Sequence, residues 1–337
     1  MPVRLKDIAD DLNLSKMTIS KVLRGQTDIS DATKARVLKR VRELKYIPNI
    51  SASSLRTGQT KTMGLILPSM GVSYMGEVAA GINNTVSAAG YGLIVCSSEN
   101  QIDIEQRQVE VFLSLQVDAL LVIPTQKTTA VFEQMRGSKK MSLIYVDHKP
   151  SRVTENYVGI HEEDVGRIAC EHLIACGCRR IAYIRGPRTV TGDLRSNGYR
   201  QAMSDHGLTA QPDLIIDSMG SGESEYKRGH DAMVRLLGRP GRPEGVMAYS
   251  DIMAVGAMDA ARSQGVKIPE AMRFIGCGND ALLCEMAIPL SSIDIGGHEL
   301  GQKAGRLALR VIASGHRAGA HKVLVMPKLV KRKSSEK

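Results

Sequence analysis

The chain has 337 residues, room for two or three domains, and its 43% hydrophobic and 24% charged content is ordinary for a globular protein. Its formal charge of +10 is uneven: residues 1–60 hold 12 Lys/Arg against 6 Asp/Glu, residues 328–337 hold 5 against 1, and the remaining 28 of each sign leave 61–327 neutral. A basic head on a neutral body points to a nucleic-acid module joined to another function. The head offers no aromatic or leucine-rich face for a membrane surface, and no run approaches the roughly 18 apolar residues of a membrane span. The six cysteines form no CxxC pair and no zinc spacing, and MPVRLKDIADD is too charged for a secretion signal. A reduced, cytoplasmic protein without metal or membrane contact is expected.

Leu5, Ile8, Ala9 and Leu12 recur at helical spacing, and Asn13 suits the left-handed residue that ends a helix. Ser15 is placed to cap a second helix from Lys16, in which Ile19 and Val22 turn inward. Two short helices joined so tightly make a helix-turn-helix, whose second helix lies in the major groove of DNA with its N-terminal side chains towards base edges. Candidate DNA contacts are Lys6, Ser15, Lys16, Met17, Thr18, Ser20 and Lys21. Lysine donates to guanine, and methionine packs on a thymine methyl. A third helix is predicted from Asp31 to Lys45, capped by Ser30, with Val37, Leu38, Val41 and Leu44 facing the first two.

Pro48 ends that helix, and Asn49 is able to cap a helix of about two turns, ISASSLRT, too short to hold itself together in water. Its small residues would let two copies approach closely and leave Leu55 as an apolar wedge. The alternative is a flexible serine-rich linker. Asn49, Ala52, Ser53, Leu55 and Arg56 complete the candidate DNA contacts.

From residue 61 the chain alternates strand and helix. GLILP, GLIVCSS, ALLVI and SLIYV are separated by helices near 74–89, 103–116 and 127–137. IAYIRG, LIID, GVMAYS and RFIGCG are separated by helices near 162–176, 193–207, 224–237 and 252–265. The pattern predicts an α/β core of two doubly wound parallel sheets behind an all-helical head, with ligand at the carboxyl ends of the strands.

The run RLKDIADDLNLSKMTISKVLRG, the segment ISDATKARVLKRVRELKYIPN and the pair Ala52-x-x-Leu55 resemble the lactose/galactose-repressor (LacI/GalR) family of transcriptional regulators. The resemblance runs to the C-terminus through VDALLVIP, HLIACGCRRIAYIRGP, RSNGYRQAM, SDIMAVGAM, RFIGCGND and PLSSIDIGGHELGQKA. It implies a headpiece at 1–45, a hinge at 46–60 and a periplasmic-binding-protein-like core at 61–337. Chain crossings near 160, 292 and 323 would divide the core into an N-subdomain (61–160, 292–322) and a C-subdomain (161–291, 323–337).

The family likeness further implies a homodimeric repressor on a palindromic operator, with the Leu55 pair kinking the minor groove and a small-molecule effector in the cleft. Arg195 matches an arginine that forks onto effector hydroxyls or carboxylates; a surface ion pair is its plain alternative. Ser73, Tyr74, Asp147, Ser250, Asp251, Asn279 and Asp280 are the other effector candidates, although Tyr74 could be core and Asp251 a cap for a helix from Ile252. Three positions depart from the family. Ser53 replaces an arginine, Gly278 an aspartate and Ser224 an aromatic platform, so an acidic sugar or phosphosugar is expected over a neutral hexose.

Two other functions compete. A transport-type sugar-binding protein would explain the core but not the basic head. A nucleotide-dependent enzyme rests only on GCGNDA at 276–281 with Asp294 beyond it, a weak fingerprint in the wrong strand. No cofactor or catalytic constellation is expected, and His148, His161 and His298 read as surface or helix-face residues.

Overall fold

In the computed structural model, which describes residues 3–23, 26–46, 58–125, 132, 141–150, 156–186, 189–218, 224–315 and 320–336, the chain falls into two units, Met1–Thr60 and Lys61–Lys337. The first contains α1 (Leu5–Asp11), α2 (Lys16–Leu23) and α3 (Asp31–Glu43). Asn13 turns the chain with φ +52°, and the Leu14 N–H donates to the Ala9 carbonyl at 2.9 Å. Ser15 Oγ then accepts from the Thr18 N–H at 3.0 Å, and Ser30 Oγ from Thr33 at 3.3 Å, so both expected caps are present.

Ile8, Ala9, Ile19, Val22 and Val37 form the small core, and Arg40 bonds Asp11 at 2.5 and 3.1 Å to tie α3 to α1. Leu38 is a correction: it is exposed, because the inward stripe runs Val37, Val41, Leu44 and leaves position 38 about 100° off it. The hinge contacts Asn49, Ala52, Ser53, Leu55 and Arg56 lie outside the described residues, as does most of the helix expected at 127–137.

The second unit carries two six-stranded sheets. One runs β11-β5-β4-β3-β1-β2, all parallel, from β1 (Thr62–Leu67), β2 (Gly92–Ser97), β3 (Ala119–Val122), β4 (Ser142–Asp147), β5 (Asn156–Ile160) and β11 (Lys322–Val325). The other runs β12-β10-β9-β8-β6-β7, from β6 (Ile181–Arg185), β7 (Ile215–Asp217), β8 (Gly245–Ala248), β9 (Arg273–Cys277), β10 (Ser291–Asp294) and β12 (Lys328–Val330). Only β12 is antiparallel to its neighbour.

The near-continuous apolar runs follow from burial on both faces. In β1 and β3, Met63, Leu65, Leu67, Ala119 and Leu121 enter one cluster, while Ile66, Leu120 and Val122 enter another beneath Phe112. The short, poorly patterned strands β5, β10, β11 and β12, the outer two at one side of each sheet, are not singled out by the sequence pattern. They also move the crossings. β10 belongs to the second sheet and β11 to the first, so the later two crossings fall at 295–296 and 326–327, beyond the expected 292 and 323.

Helices 162–175 and 190–205 cross at Gly166 and Gly198, so closely that a methyl at Gly166 would overlap the Arg195 carbonyl, and one at Gly198 the Glu163 carbonyl. Arg195 sits one turn from that crossing. At the far end of the chain, Ser334 and Ser335 are fully buried. Ser334 bonds Phe274 and Pro289 through its backbone, Ser335 Oγ lies 2.7 Å from His172 Nε2, and Arg332 donates to Asn279 Oδ1 at 2.7 Å. The segment KRKSSE, which looks like a solvated basic tail, is a clasp on the second sheet.

Candidate functional site

Two surfaces carry the candidate residues. On α2, Lys16 and Met17 are exposed, Met17 to 68%, while Ile19 and Val22 are buried. The Lys16 and Met17 side chains are thus accessible at the start of the helix. Lys6 and Ser15 are exposed as well, and Thr18 and Ser20 are partly buried. Ser15 is engaged as the cap. Lys21 is half-buried and paired with Asp28, so it is not the free base contact expected. DNA would have to draw it away from that carboxylate.

The second surface lies where the carboxyl ends of the two sheets face each other. Asp147 ends β4 with φ +66°, and the His148 N–H closes a tight turn onto the Val146 carbonyl at 2.8 Å. Positive φ in a non-glycine residue stores strain and concentrates at functional sites. The Tyr74 hydroxyl donates to Asp147 Oδ1 at 2.6 Å, and His148 Nδ1 lies 2.8 Å from Oδ2. Tyr74 reaches this carboxylate because it opens the helix Ser73–Ala88, as expected; Ser73 itself is exposed.

From the other sheet, Arg195 Nε donates to Glu162 Oε2 at 2.6 Å and Nη1 to the Tyr249 carbonyl at 2.9 Å, with the guanidinium 4.7 Å from the Tyr249 ring centre. Arg195 is 5% exposed, which excludes the surface ion pair. Glu162 Oε1 and the Tyr183 hydroxyl are buried without a hydrogen-bond partner. Such orphaned groups call for a bound molecule or water.

Burial pushes Asp147 up, but the hydrogen bond and charge of His148 outweigh it and hold the carboxyl below its ordinary value. Burial also pushes Glu162 up, and Arg195 draws it only partly back. Burial followed by Asp147 raises the Tyr74 hydroxyl well above its usual range, so it stays a donor.

The remaining candidates serve the framework. Ser250, not Asp251, caps the helix Asp251–Ser263, accepting from Met253 at 3.3 Å. Asp251 is buried and accepts from Ser292 at 2.6 Å and the Asp280 N–H at 2.9 Å. Asn279 bonds Arg332 and Asp294, and Asp280 caps the short turn Ala281–Glu285. Neither therefore replaces the carboxylate missing at Gly278. That glycine has φ +130°, and a Cβ there would lie 3.3 Å from Asp251 Oδ2, so the turn itself favours glycine. Ser224, at the position where the family often has an aromatic platform, caps the helix Glu225–Leu237.

GCGNDA leads into this short turn and not a helix N-terminus, which removes the phosphate-binding geometry of a dinucleotide fingerprint. Glu162, Tyr249 and His148 were missed as site residues. Glu162 was legible: it shares the inward phase of Val165 and Ala169. His148 is not on the surface; its side chain is 18% exposed between Asp147 and Pro124. Among the described residues no His/Cys/Asp/Glu group is arranged to hold a metal, and no helix is long and apolar enough to cross a membrane.

Residues 4–49 match the description "Bacterial regulatory proteins, lacI family", and residues 170–335 match "Periplasmic binding protein-like domain". Over 333 residues the chain is 29% identical to the HTH-type transcriptional repressor PurR of Proteus mirabilis (strain HI4320), covering 98% of this chain and 96% of that one. It is 29% identical to the HTH-type transcriptional regulator DegA of Bacillus subtilis (strain 168), with 99% and 98% covered. Among solved structures, the transcriptional regulator CelR–cellobiose complex matches at TM-score 0.73 and 25% identity, covering 98% and 99%. The lac repressor dimer bound to operator and the anti-inducer ONPF matches in fold at TM-score 0.85 and 24% identity, with 99% of each chain covered.

Proposed function

The chain belongs to the lacI family of bacterial regulatory proteins, a DNA-binding repressor and not an enzyme, and on that premise we propose how it reads its operator and what its effector is. A homodimer binds a palindromic site in cytoplasmic DNA, with Lys16 and Met17 at base edges and Lys6 and Lys21 supporting phosphate contact. Asn49, Ala52, Ser53, Leu55 and Arg56 form the minor-groove hinge, in which Leu55 is the wedge. The exposure of Lys16 and Met17 at the start of a capped helix supports the first half. For the second half the support is the match of residues 4–49 to the family together with the small-residue pattern around Leu55.

The effector is a small, uncharged, hydroxyl-rich molecule between the two sheets. One observation carries this reading: Arg195 is already neutralised by Glu162, while Glu162 Oε1 and both Asp147 oxygens remain acceptors. An acidic sugar or phosphosugar, expected from the sequence, would bring a further negative charge beside Glu162 and Asp147, while the nearby cations Arg195 and His148 are already paired with those two carboxylates. Hydroxyl groups both donate and accept, and satisfy such a mixed set. The likeness to a cellobiose-bound regulator agrees with this chemistry.

Calorimetry against cellobiose, neutral hexoses, uronates, phosphosugars and purine bases, paired with gel shifts on a palindromic library, tests both halves. A neutral sugar should bind and change operator affinity. Tight binding of a uronate or phosphosugar alone would overturn the effector reading. Equal affinity for random and palindromic DNA would overturn the operator reading.

A further inference from the structure

His148 presents both ring nitrogens to acceptors: Nδ1 lies 2.8 Å from Asp147 Oδ2 and Nε2 lies 2.7 Å from the Pro124 carbonyl oxygen. A carbonyl oxygen cannot donate, and neither can an ionised carboxylate. A neutral imidazole carries one N–H and would set its other lone pair against an oxygen. The contacts are satisfied only by an imidazolium, or by a neutral ring beside a protonated Asp147. The reference acidities, about 3.9 for Asp and about 6.5 for His, place the proton on the ring. The Tyr74 hydroxyl, donating to Asp147 Oδ1 at 2.6 Å, favours the ionised carboxylate further.

We propose that His148 is an imidazolium clamp, a positioning residue that ties ionised Asp147, the acceptor of the cleft in its strained turn, to the Pro124 carbonyl, and that this tie loosens as pH rises. The purpose of the clamp rests on the effector reading above; its geometry does not.

The surroundings favour the cation. Besides Asp147, His148 faces Glu162 from the helix Glu162–Ala175 and Glu105 from the helix Ile102–Ser114. Glu105 accepts from the backbone and hydroxyl of Thr125, both at 2.6 Å. Arg195 opposes it from across the cleft through its own pull on Asp147. Tyr74, Tyr157 (bonded to the Asp147 carbonyl at 2.8 Å) and the neighbouring Lys149 complete the ionisable groups nearby.

Burial pushes the imidazole down, but the hydrogen bond and charge of Asp147 outweigh it and raise it above its ordinary 6.5. A group raised on folding stabilises fully below its unfolded value, and that stabilisation is lost as pH climbs through the folded value. The clamp therefore holds fully below the ordinary imidazole value and loosens as pH climbs through the raised one.

The test uses the full-length protein without effector. Imidazole nitrogen–proton correlation spectra are followed from about pH 5.5 to 9, the range in which histidine titrates. His148 is identified by its loss in His148→Gln. The ring should remain doubly protonated above pH 6.5, and the Asp147 amide should move with the same midpoint. Asp147→Asn should lower the proton affinity of His148 about tenfold or more, the effect of removing an adjacent opposite charge.

The melting temperature of the wild type should fall through that midpoint as pH rises, and His148→Gln should flatten this fall. A neutral His148 at pH 6, or an Asp147 amide indifferent to its titration, overturns the proposal even if a neutral sugar binds. Failure of every sugar to bind overturns the effector reading and leaves these spectra unaffected.

Discussion

Arg195 shows how a single residue changes meaning between sequence and structure. As a letter in RSNGYRQAM it promised a free guanidinium for a ligand; in the fold it is one member of a buried pair with Glu162. Removing one partner of such a pair leaves the other charge buried alone, at a cost of about 3–5 kcal/mol. Arg195→Ala should therefore lower the melting temperature markedly and abolish the effector response. Glu162→Gln, which keeps the shape but leaves the Arg195 charge unpaired, should also lower the melting temperature, while operator binding in effector-free buffer is preserved. Thermal melts combined with gel shifts check both. An Arg195→Ala protein as stable as wild type would mean the pair is open in solution.

At the scale of elements, what was legible was local. Ser15, Asn13 and Ser30 mark helix ends because caps act over three residues, and all three stand where the spacing put them. Strands β1–β4 and β6–β9 were readable as apolar runs for the same reason, whereas β5, β10, β11 and β12 were not. What was not legible joined distant residues. Nothing around His148 announces Pro124, and nothing in KRKSSEK announces Phe274. Lys21 looked free because Asp28 lies in the next turn of the chain.

Two predictions belong here. Exchanging Lys16 and Met17 should shift half-site preference by about 1–3 kcal/mol per lost base contact, and competition binding on variant half-sites measures it. Equal weakening on every sequence would remove α2 from base reading. Gly198→Ala should force apart the helices Glu162–Ala175 and Val190–Asp205, which meet there backbone to backbone. Overpacking of this kind costs about 1–3 kcal/mol. Effector affinity should fall with stability, because the same crossing sets Arg195 against Glu162.

For the whole molecule, the clasp at 331–336 predicts that deleting residues after Val330 is not a trim of a solvated tail. The deletion exposes Phe274 and Ser291 backbone groups, strips Asn279 of Arg332 and leaves His172 without Ser335. Each buried polar group left unpaired costs about 1–3 kcal/mol, so the truncated core should aggregate or melt many degrees lower in calorimetry. The charge distribution makes a separate prediction. With +6 on residues 1–60 and a neutral body, operator affinity should fall steeply with added salt while effector affinity barely changes.

The two sheets also set an order of assembly during synthesis. Residues 1–60 form a unit from contiguous sequence and are complete early on the ribosome. The core is not: its first sheet waits for β11 at 322–325, and its second for β12 at 328–330 and the clasp beyond. Domains fold as units, N-terminal first, while the chain emerges at about 5–20 residues per second. A nascent chain thus carries a finished DNA-reading head for many seconds before either half of the core can close. The head can therefore fold before the protein is able to sense anything, while the paired contact of a dimer to a palindrome waits for a second chain.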